Sequence, residues 1–123
     1  MARPHEAVNL EAKLTAIDAH WSPAIVAEAN DWQFKLVKVS GAFVWHDHEV
    51  DEVFLVLSGE LVIELEARDD VRLGRGELFV VPAGVMHRPV AATGECAIML
   101  IEPSGVVNTG NAGGELTAPE RWL

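Results

Sequence analysis

Four residues in two short stretches indicate the chemistry of this chain: three histidines and a glutamate. His46, His48 and Glu52 lie close together, and His87 ends a second stretch that begins at Pro82. The chain has only 5 histidines, so three of them in two compact motifs are not readily explained by chance. Imidazole nitrogens and a carboxylate oxygen form a donor set that divalent transition metals accept. The pattern predicts a metal site and leaves Zn, Mn, Fe, Ni, Co and Cu open.

The spacing of His46 and His48 predicts that both side chains reach the same ion. Side chains alternate along a β-strand, so residues two apart share a face and Asp47 faces the other way. Residues 49–51 are too polar to fit the middle of a strand. We therefore expect a turn there, which returns Glu52 beside the pair at the start of the next strand.

The second stretch predicts a ligand that arrives from a separate hairpin. Leu78–Val81 is a short apolar run typical of a strand, and Pro82 ends it because proline has no N–H for the ladder. Gly84 can adopt the positive φ of a tight turn. His87 then opens the following strand, where it can meet the first three ligands.

Each residue also has an ordinary interpretation. A histidine near a strand end is most often a surface or hydrogen-bonded residue, and Glu52 alone would be a solvated acid; their combination favours a metal. His5 and His20 have no partner at a useful spacing, and we expect them to be surface residues. Cys96 is the only cysteine and lies in an apolar run, which predicts a small core residue and not a nucleophile.

Length and charge restrict the class of protein. The 123 residues suit one domain, and 50% of them are hydrophobic, as in globular chains. A formal net charge of −10 opposes binding to nucleic acid and to anionic membranes. No apolar run approaches the ~20 residues of a membrane span, and the first residues have no apolar leader segment. We therefore expect a cytoplasmic protein without nucleic-acid or membrane partners.

Many short apolar runs separated by turn residues predict an antiparallel sandwich or barrel. A short helix precedes them, with Asn9 as N-cap and with Leu10, Leu14 and Ile17 on one face. The predicted strands cover residues 25–28, 32–39, 43–46, 53–57, 61–66, 71–73, 78–81, 88–92 and 97–101.

Turn residues predict how some of these strands connect. Ser58–Gly59 is typical of a tight hairpin between the strands on either side of it. Thr93–Gly94 predicts a turn that separates the last two strands. From Pro103 onward the chain is rich in glycine and is expected to be irregular, with Val106–Val107 as a possible edge strand.

Two stretches of this sequence resemble the motifs of the cupin superfamily. The stretch Gly41–Glu52, followed by Gly59, is similar to the first cupin motif, and Gly76–His87 matches the second in spacing. Two positions depart from the pattern. Gly41 is one residue closer to the histidine than the usual glycine, and Ala91 replaces an asparagine that often closes the second motif. Neither position is a metal ligand in the pattern.

The resemblance implies an all-β, antiparallel jelly-roll barrel of six or eight strands, preceded by the short helix. It implies a single cupin domain over residues 1–123. The barrel core would span about residues 25–102, with an N-terminal arm over 1–24 and an irregular C-terminal tail over 103–123.

The resemblance also implies a ligand set. By motif position, His46, His48, Glu52 and His87 would bind one divalent transition metal inside the wider mouth of the barrel. Four protein ligands on an octahedral ion leave two positions for water, substrate or oxygen.

Several functions are compatible with such a site. The flanking segments are similar to small cupins labelled mannose-6-phosphate isomerase-like, but a phosphate pocket could draw only on Lys35, Lys38 and Arg88, which we expect to be solvated. The leading interpretation is a metal-dependent enzyme on a small molecule, either isomerase-like or dioxygenase-like. The alternatives are a metal-anchored binding or sensing module without turnover, and a structural barrel with a vestigial site.

Two predicted strands, residues 53–57 and 97–101, are apolar on both faces. A strand in a small barrel has one inward face, so the outward face must also be covered. The cover could be the N-terminal segment or a second subunit. Small cupins commonly pair through their sheets, and we expect a homodimer.

Overall fold

The computed structural model of the chain describes residues 6–123, so His5 lies outside the described residues. The predicted all-β antiparallel fold with a short N-terminal helix is confirmed. The described residues form one helix and seven strands: α1 (Leu10–Thr15), β1 (Ala24–Ala29), β2 (Trp32–Ala42), β3 (Glu52–Ser58), β4 (Leu61–Leu65), β5 (Val71–Leu73), β6 (Leu78–Val81) and β7 (His87–Pro103).

The long strand β7 connects the two halves of the barrel. The strand order is β1-β2-β7-β3-β6, and β4 pairs with β5 and β7. The first residues of β7, from His87 to Val90, pair with β4. Its later residues, from Ala97 to Ile101, pair with β3 on one side and β2 on the other. The strand β7 therefore begins at His87, in the second motif, and continues into the core of the opposite half of the barrel.

The prediction of a tight hairpin at Ser58–Gly59 was wrong, because β3 and β4 do not pair with each other. Gly59 is a corner at which the chain crosses over β7, with φ of 82°. A Cβ there would lie 2.7 Å from the carbonyl oxygen of Glu95. The close approach of two backbones, and not a two-residue hairpin, explains why glycine occupies this corner.

Three other local predictions were wrong. Thr93–Gly94 is not a turn between strands, since β7 continues through it, and the extra residues between Ala91 and Cys96 bulge out of β7 opposite the step from Val39 to Gly41 of β2. Residues 43–46 do not form a strand; only His46 makes an isolated bridge, with His87. Residues 106–107 also lie outside any strand, so the tail is irregular there.

The N-terminal arm covers part of the outer face of the sheet. The Asn9 side chain caps α1 by accepting a hydrogen bond from the Ala12 N–H at 2.9 Å. Ile17, which is 2% exposed, packs with Leu36 and Met99, and the side chains of Leu10 and Leu14 lie against the same cluster. No described helix has the length and apolar character needed to cross a membrane.

The inner face of the sheet forms the main core. On β4 the buried and half-buried residues alternate, and Leu61, Ile63 and Leu65 point inward as the sequence predicts. Cys96 is buried in the same cluster, which confirms its predicted place in the core. Burial raises the pKa of its thiol to about 11, so the reactive thiolate is disfavoured.

Candidate metal centre

The structure brings together all four residues that the sequence singled out. One ligand atom from each of His46, His48, Glu52 and His87 lies within 4.8 Å of the other three, and all four residues are buried. By contrast, His20 is 45% exposed and pairs with Glu95 at 2.8 Å, outside this cluster. The two motifs, far apart in sequence, therefore converge on one point.

Backbone hydrogen bonds position His46 and His87 relative to each other. The N–H of His46 donates to the carbonyl of His87 at 3.0 Å, and the N–H of His87 donates to the carbonyl of His46 at 2.9 Å. The two rings lie with centroids 4.3 Å apart. Two backbone hydrogen bonds therefore hold His46 and His87 next to each other.

The same two histidines have a defined tautomer. Nδ1 of His46 lies 2.9 Å from the carbonyl of Val44, and Nδ1 of His87 lies 2.9 Å from the carbonyl of Val85. A carbonyl oxygen only accepts hydrogen bonds, so Nδ1 carries the proton in both rings. The lone pair of each ring is therefore on Nε2, the atom available to a metal.

Glu52 and His48 complete the cluster from a strand and a loop. Glu52 opens β3, as predicted, opposite Val81 of β6. Its Oε1 lies 3.3 Å from Nε2 of His87 and 3.5 Å from Nε2 of His48. The loop is anchored where the carbonyl of His48 accepts a hydrogen bond from the Gly84 N–H at 2.8 Å. His48 does not lie on a strand, so the prediction that strand alternation places it beside His46 was wrong, and a loop brings it there instead.

The protonation states suit metal binding. Burial lowers the pKa of His46 to about 4, so its imidazole is neutral at pH 7. Burial opposes ionisation of Glu52, but the neighbouring His48 and His87 outweigh it and hold the pKa of that carboxyl well below its usual range. Neutral imidazoles and an ionised carboxylate are the forms that coordinate a cation.

An unsatisfied nitrogen also fits a metal. Among the described residues, Nε2 of His48 is buried and has no hydrogen-bond partner. A buried polar atom left unpaired carries a substantial desolvation cost. A cation bound among the four ligand atoms would satisfy it. The residues present therefore fit one divalent transition metal.

A small apolar cavity adjoins the cluster inside the barrel. Its volume is about 30 Å³, which is space for about two water molecules. Trp21 and Phe43 stack on one wall with ring centroids 4.6 Å apart. The lining residues are Trp21, Pro23, Val37, Val39, Phe43, His46, Glu52, Phe54, Pro89, Ile98, Leu100 and Asn108.

The C-terminal tail packs against the first motif. The Asn111 side chain accepts a hydrogen bond from the Asp47 N–H at 3.0 Å. A Cβ on Gly110 would collide with the Asp47 carbonyl and would lie 3.1 Å from Nδ1 of His48. A cleft of about 590 Å³ lies between this tail and residues 47–50. The tail therefore forms part of the wall around the metal centre.

The three basic residues considered for a phosphate pocket are not solvated as predicted. Lys35 is 7% exposed, and its Nζ donates to Glu102 at 2.9 Å. Lys38 donates to the carbonyl of Ile17 at 2.8 Å. The guanidinium of Arg88 contacts Glu64 and lies over the ring of Trp45 at 5.5 Å. All three cations are engaged within the fold, which leaves them poorly placed to bind a phosphate.

Sequence reasoning did not identify Glu102 as the buried partner of Lys35, or Gly110 as a residue that packs against the site. Cys96, Ile98 and Leu100 belong to the inner core, and Glu102, two residues further along β7, is buried as well. Because residues 96–101 are all apolar, the sequence does not indicate which face of β7 Glu102 occupies. Nothing in the local sequence around Gly110 indicates its contact with Asp47.

Comparisons with known proteins agree with this architecture. The cupin-domain model Cupin_2 matches residues 34–102. A cupin-2 domain containing protein from Shewanella frigidimarina, of known structure, is 49% identical; the match covers 78% of this chain and 93% of that one, with a TM-score of 0.75. A hydroquinone 1,2-dioxygenase from Sphingomonas sp. is 23% identical over 85% of this chain and 36% of its own, with a TM-score of 0.74, a likeness of fold alone.

Two curated proteins match over shorter segments. The uncharacterized protein YdbB of Bacillus subtilis is 34% identical over 64 residues, or 51% of this chain and 57% of that protein. An acireductone dioxygenase of Tuber melanosporum is 38% identical over 55 residues, or 42% of this chain and 32% of that protein. These matches span about half and about a third of the relatives' lengths. Because the family model matches more than half of the chain and the Shewanella protein is matched over nearly its whole length, the chain belongs to the cupin domain family.

Proposed function

We propose that this cupin is a metal-dependent enzyme that oxidises a small molecule with molecular oxygen, in the manner of a dioxygenase. The observation that carries the proposal is the buried cluster of three histidines and one carboxylate beside an apolar cavity. A bound Fe(II) ion would supply open coordination positions for substrate and oxygen. The chain itself supplies the ligands, and mostly apolar side chains line the space beside them.

The walls of the cavity favour oxygen chemistry over isomerisation. An isomerase that shifts protons needs an acid or base within hydrogen-bond reach of its substrate. Apart from His46 and Glu52, the described lining residues offer polar side-chain atoms only on Asn108 and Trp21. Neither an amide nor an indole transfers protons near neutral pH. The engagement of Lys35, Lys38 and Arg88 also disfavours a sugar phosphate as substrate.

The partial similarity to an acireductone dioxygenase also supports oxygen chemistry, since it reaches 38% identity over 55 residues. The size of the cavity adds a constraint on the substrate. A space of about 30 Å³ beside His46 and Glu52 admits only a small group. We therefore expect the substrate to present a compact end to the ion, and the tail around Asn108 to shift to admit the rest.

Oxygen consumption tests the proposal. Protein loaded anaerobically with Fe(II) is mixed with an acireductone or with catechols, and oxygen uptake is recorded. We expect uptake that depends on substrate and is lost in Glu52→Gln and His87→Ala, while His20→Ala, an exposed histidine outside the cluster, retains it. Saturable binding without uptake or product would indicate a metal-anchored binding module instead, and conversion without oxygen would indicate an isomerase.

A further inference from the structure

A second cavity, which we call the tail cavity, lies between strands β1 and β2 and the C-terminal tail. Its volume is about 120 Å³, against about 30 Å³ for the apolar cavity at the metal centre. Pro23 and Asn108 line both cavities, so the two are neighbours. The four candidate metal ligands are not among the residues that line the tail cavity. Its chemistry can therefore be considered apart from the metal centre.

Arg121 lines the tail cavity and is held there by several hydrogen bonds. The N–H of Ile25 donates to the carbonyl of Arg121 at 2.8 Å, and the N–H of Leu123 donates to the carbonyl of Ile25 at 2.9 Å. At the other end of the side chain, Nη2 of Arg121 donates to the carbonyl of Ser22 at 2.9 Å. The guanidinium therefore has a fixed place in the wall of the cavity.

The guanidinium of Arg121 keeps both a donor and a charge that the fold does not use. Its Nε is buried and has no hydrogen-bond partner among the described residues. The ion pairs within residues 6–123 do not include Arg121. A buried cationic donor without a partner carries a desolvation cost. Because the planar guanidinium matches a carboxylate in shape and charge, a carboxylate is the ligand group that suits this position best.

The other charged groups at the tail cavity already have partners. Lys35 lines the cavity, and its Nζ donates to Glu102 at 2.9 Å, so an adjacent carboxylate balances its charge. Glu120 also lines the cavity, but it is exposed to solvent and accepts a hydrogen bond from Gln33 at 3.2 Å. These two glutamates repel a dianion such as phosphate more strongly than they repel a monoanion. The arrangement therefore favours a carboxylate over a phosphate.

We propose that the tail cavity binds the carboxylate of a small organic acid, with Arg121 as the residue that anchors it. The volume of about 120 Å³ restricts the ligand to an acid of a few carbon atoms. An acid bound there lies beside Pro23 and Asn108, which separate it from the cavity at the metal centre. The inference goes beyond the proposed oxidation and does not depend on it, since Arg121 is not a metal ligand.

Nuclear magnetic resonance with propionate as the probe tests the proposal. The full chain, labelled with ¹⁵N, is titrated at constant ionic strength, both metal-free and with Zn²⁺ bound. The Nε–H of Arg121 gives its own signal, which is assigned by its loss in Arg121→Lys. We expect propionate to shift this signal and the backbone amide signals of residues 105–108 saturably in both states. Propionamide, which has a similar shape and no charge, should leave these signals unchanged.

Three variants locate the binding site. Arg121→Gln keeps a donor but removes the charge, and it should bind propionate about 10- to 100-fold more weakly, as read from the amide signals of residues 105–108. Ala118→Leu keeps Arg121 but fills the tail cavity, and we expect a comparable loss. Arg75→Gln removes an exposed arginine from the turn between β5 and β6 and should bind as the unaltered chain does. The melting temperature of each variant provides the control for folding.

Three results would overturn the inference. The first is the lack of any saturable shift beyond that caused by the same concentration of chloride, because the tail cavity would then hold only water. The second is equal binding of propionamide or tighter binding of inorganic phosphate, because the ligand group would then not be a carboxylate. The third is unchanged affinity in both Arg121→Gln and Ala118→Leu. Oxygen uptake plays no part in these measurements, so a failure of the proposed oxidation and a failure of this inference are separate results.

Discussion

His46 and His87 exchange two backbone hydrogen bonds, at 3.0 and 2.9 Å, although they belong to different motifs. This bridge joins the loop after β2 to the first residue of β7. Each ring is then oriented by a carbonyl two residues before it. The backbone therefore holds His46 and His87 in place, and the loss of one ligand side chain should reduce metal binding without unfolding the barrel.

The close approach of Gly110 to the first motif predicts a specific effect of an added methyl group. In Gly110→Ala the new Cβ would collide with the Asp47 carbonyl and press on the ring of His48. We expect a loss of about 1–3 kcal/mol of unfolding free energy, as is typical of overpacking, together with weaker metal binding. Denaturant unfolding and metal titration measure the two effects.

Gly113→Ala is the matched control for that substitution. Gly113 has φ of 64°, close to the 54° of Gly110, but a Cβ there would meet nothing within 4 Å. The backbone strain is thus similar in the two variants, and the collision with Asp47 differs. Equal effects of the two substitutions would show that backbone strain, and not contact with Asp47 and His48, is responsible.

Acid should destabilise the metal-free protein through His46. Its pKa is 6.5 as an isolated group and about 4 in the fold. Between these values the unfolded chain binds a proton at this position and the folded chain does not, so the free energy of unfolding falls as pH falls through that range. From pH 7 to pH 5 this one group should cost roughly 2 kcal/mol, at ~1.4 kcal/mol for each pKa unit.

A comparison with His46→Gln isolates that effect. Burial raises the pKa of Glu102, so this group increases the free energy of unfolding as pH falls, which is the opposite of the effect of His46. Glu102 is present in both chains, and its contribution cancels in the difference between them. Urea unfolding of both metal-free chains at pH 7 and pH 5 gives the difference directly. The same pH dependence in both chains would contradict a buried, neutral His46.

The outer face of β6 predicts self-association. Leu78 is 59% exposed and Val80 is 41% exposed, beyond the part of the sheet that the N-terminal arm covers. We expect this strip to pair two subunits, giving twice the 13.4 kDa mass of the chain in light scattering. Replacing both residues with lysine should give monomers, whereas Val107→Lys, at a site 48% exposed, should not. A 13.4 kDa mass for the unaltered chain at micromolar concentration would exclude this dimer.

Local sequence signals predicted the parts of the site that depend on single strands and turns. Pro82 follows the end of β6, Gly84 takes positive φ at 78°, and His87 opens β7. Glu52 likewise opens β3, after the bend at residues 49–50. These features follow from the missing N–H of proline, the freedom of glycine and the polarity of turn residues.

Long-range pairing could not be predicted in the same way. Ser58–Gly59 has the composition of a hairpin, but the corner instead passes over β7 at Glu95. The contact between Lys35 and Glu102 joins residues 67 apart in sequence. Each depends on which strands become neighbours and in what register, and no local pattern in a single sequence specifies that choice.

The metal content of the chain tests the central claim most directly. Protein purified without an affinity tag is reconstituted with a divalent transition metal, passed through a desalting column and subjected to elemental analysis. We predict one ion per chain, and almost none in His46→Ala or His87→Ala, while circular dichroism shows the barrel intact and His20→Ala keeps its ion. An unaltered chain that retains no metal, or two cluster variants that retain full occupancy, would contradict the assignment of His46, His48, Glu52 and His87 as the ligands.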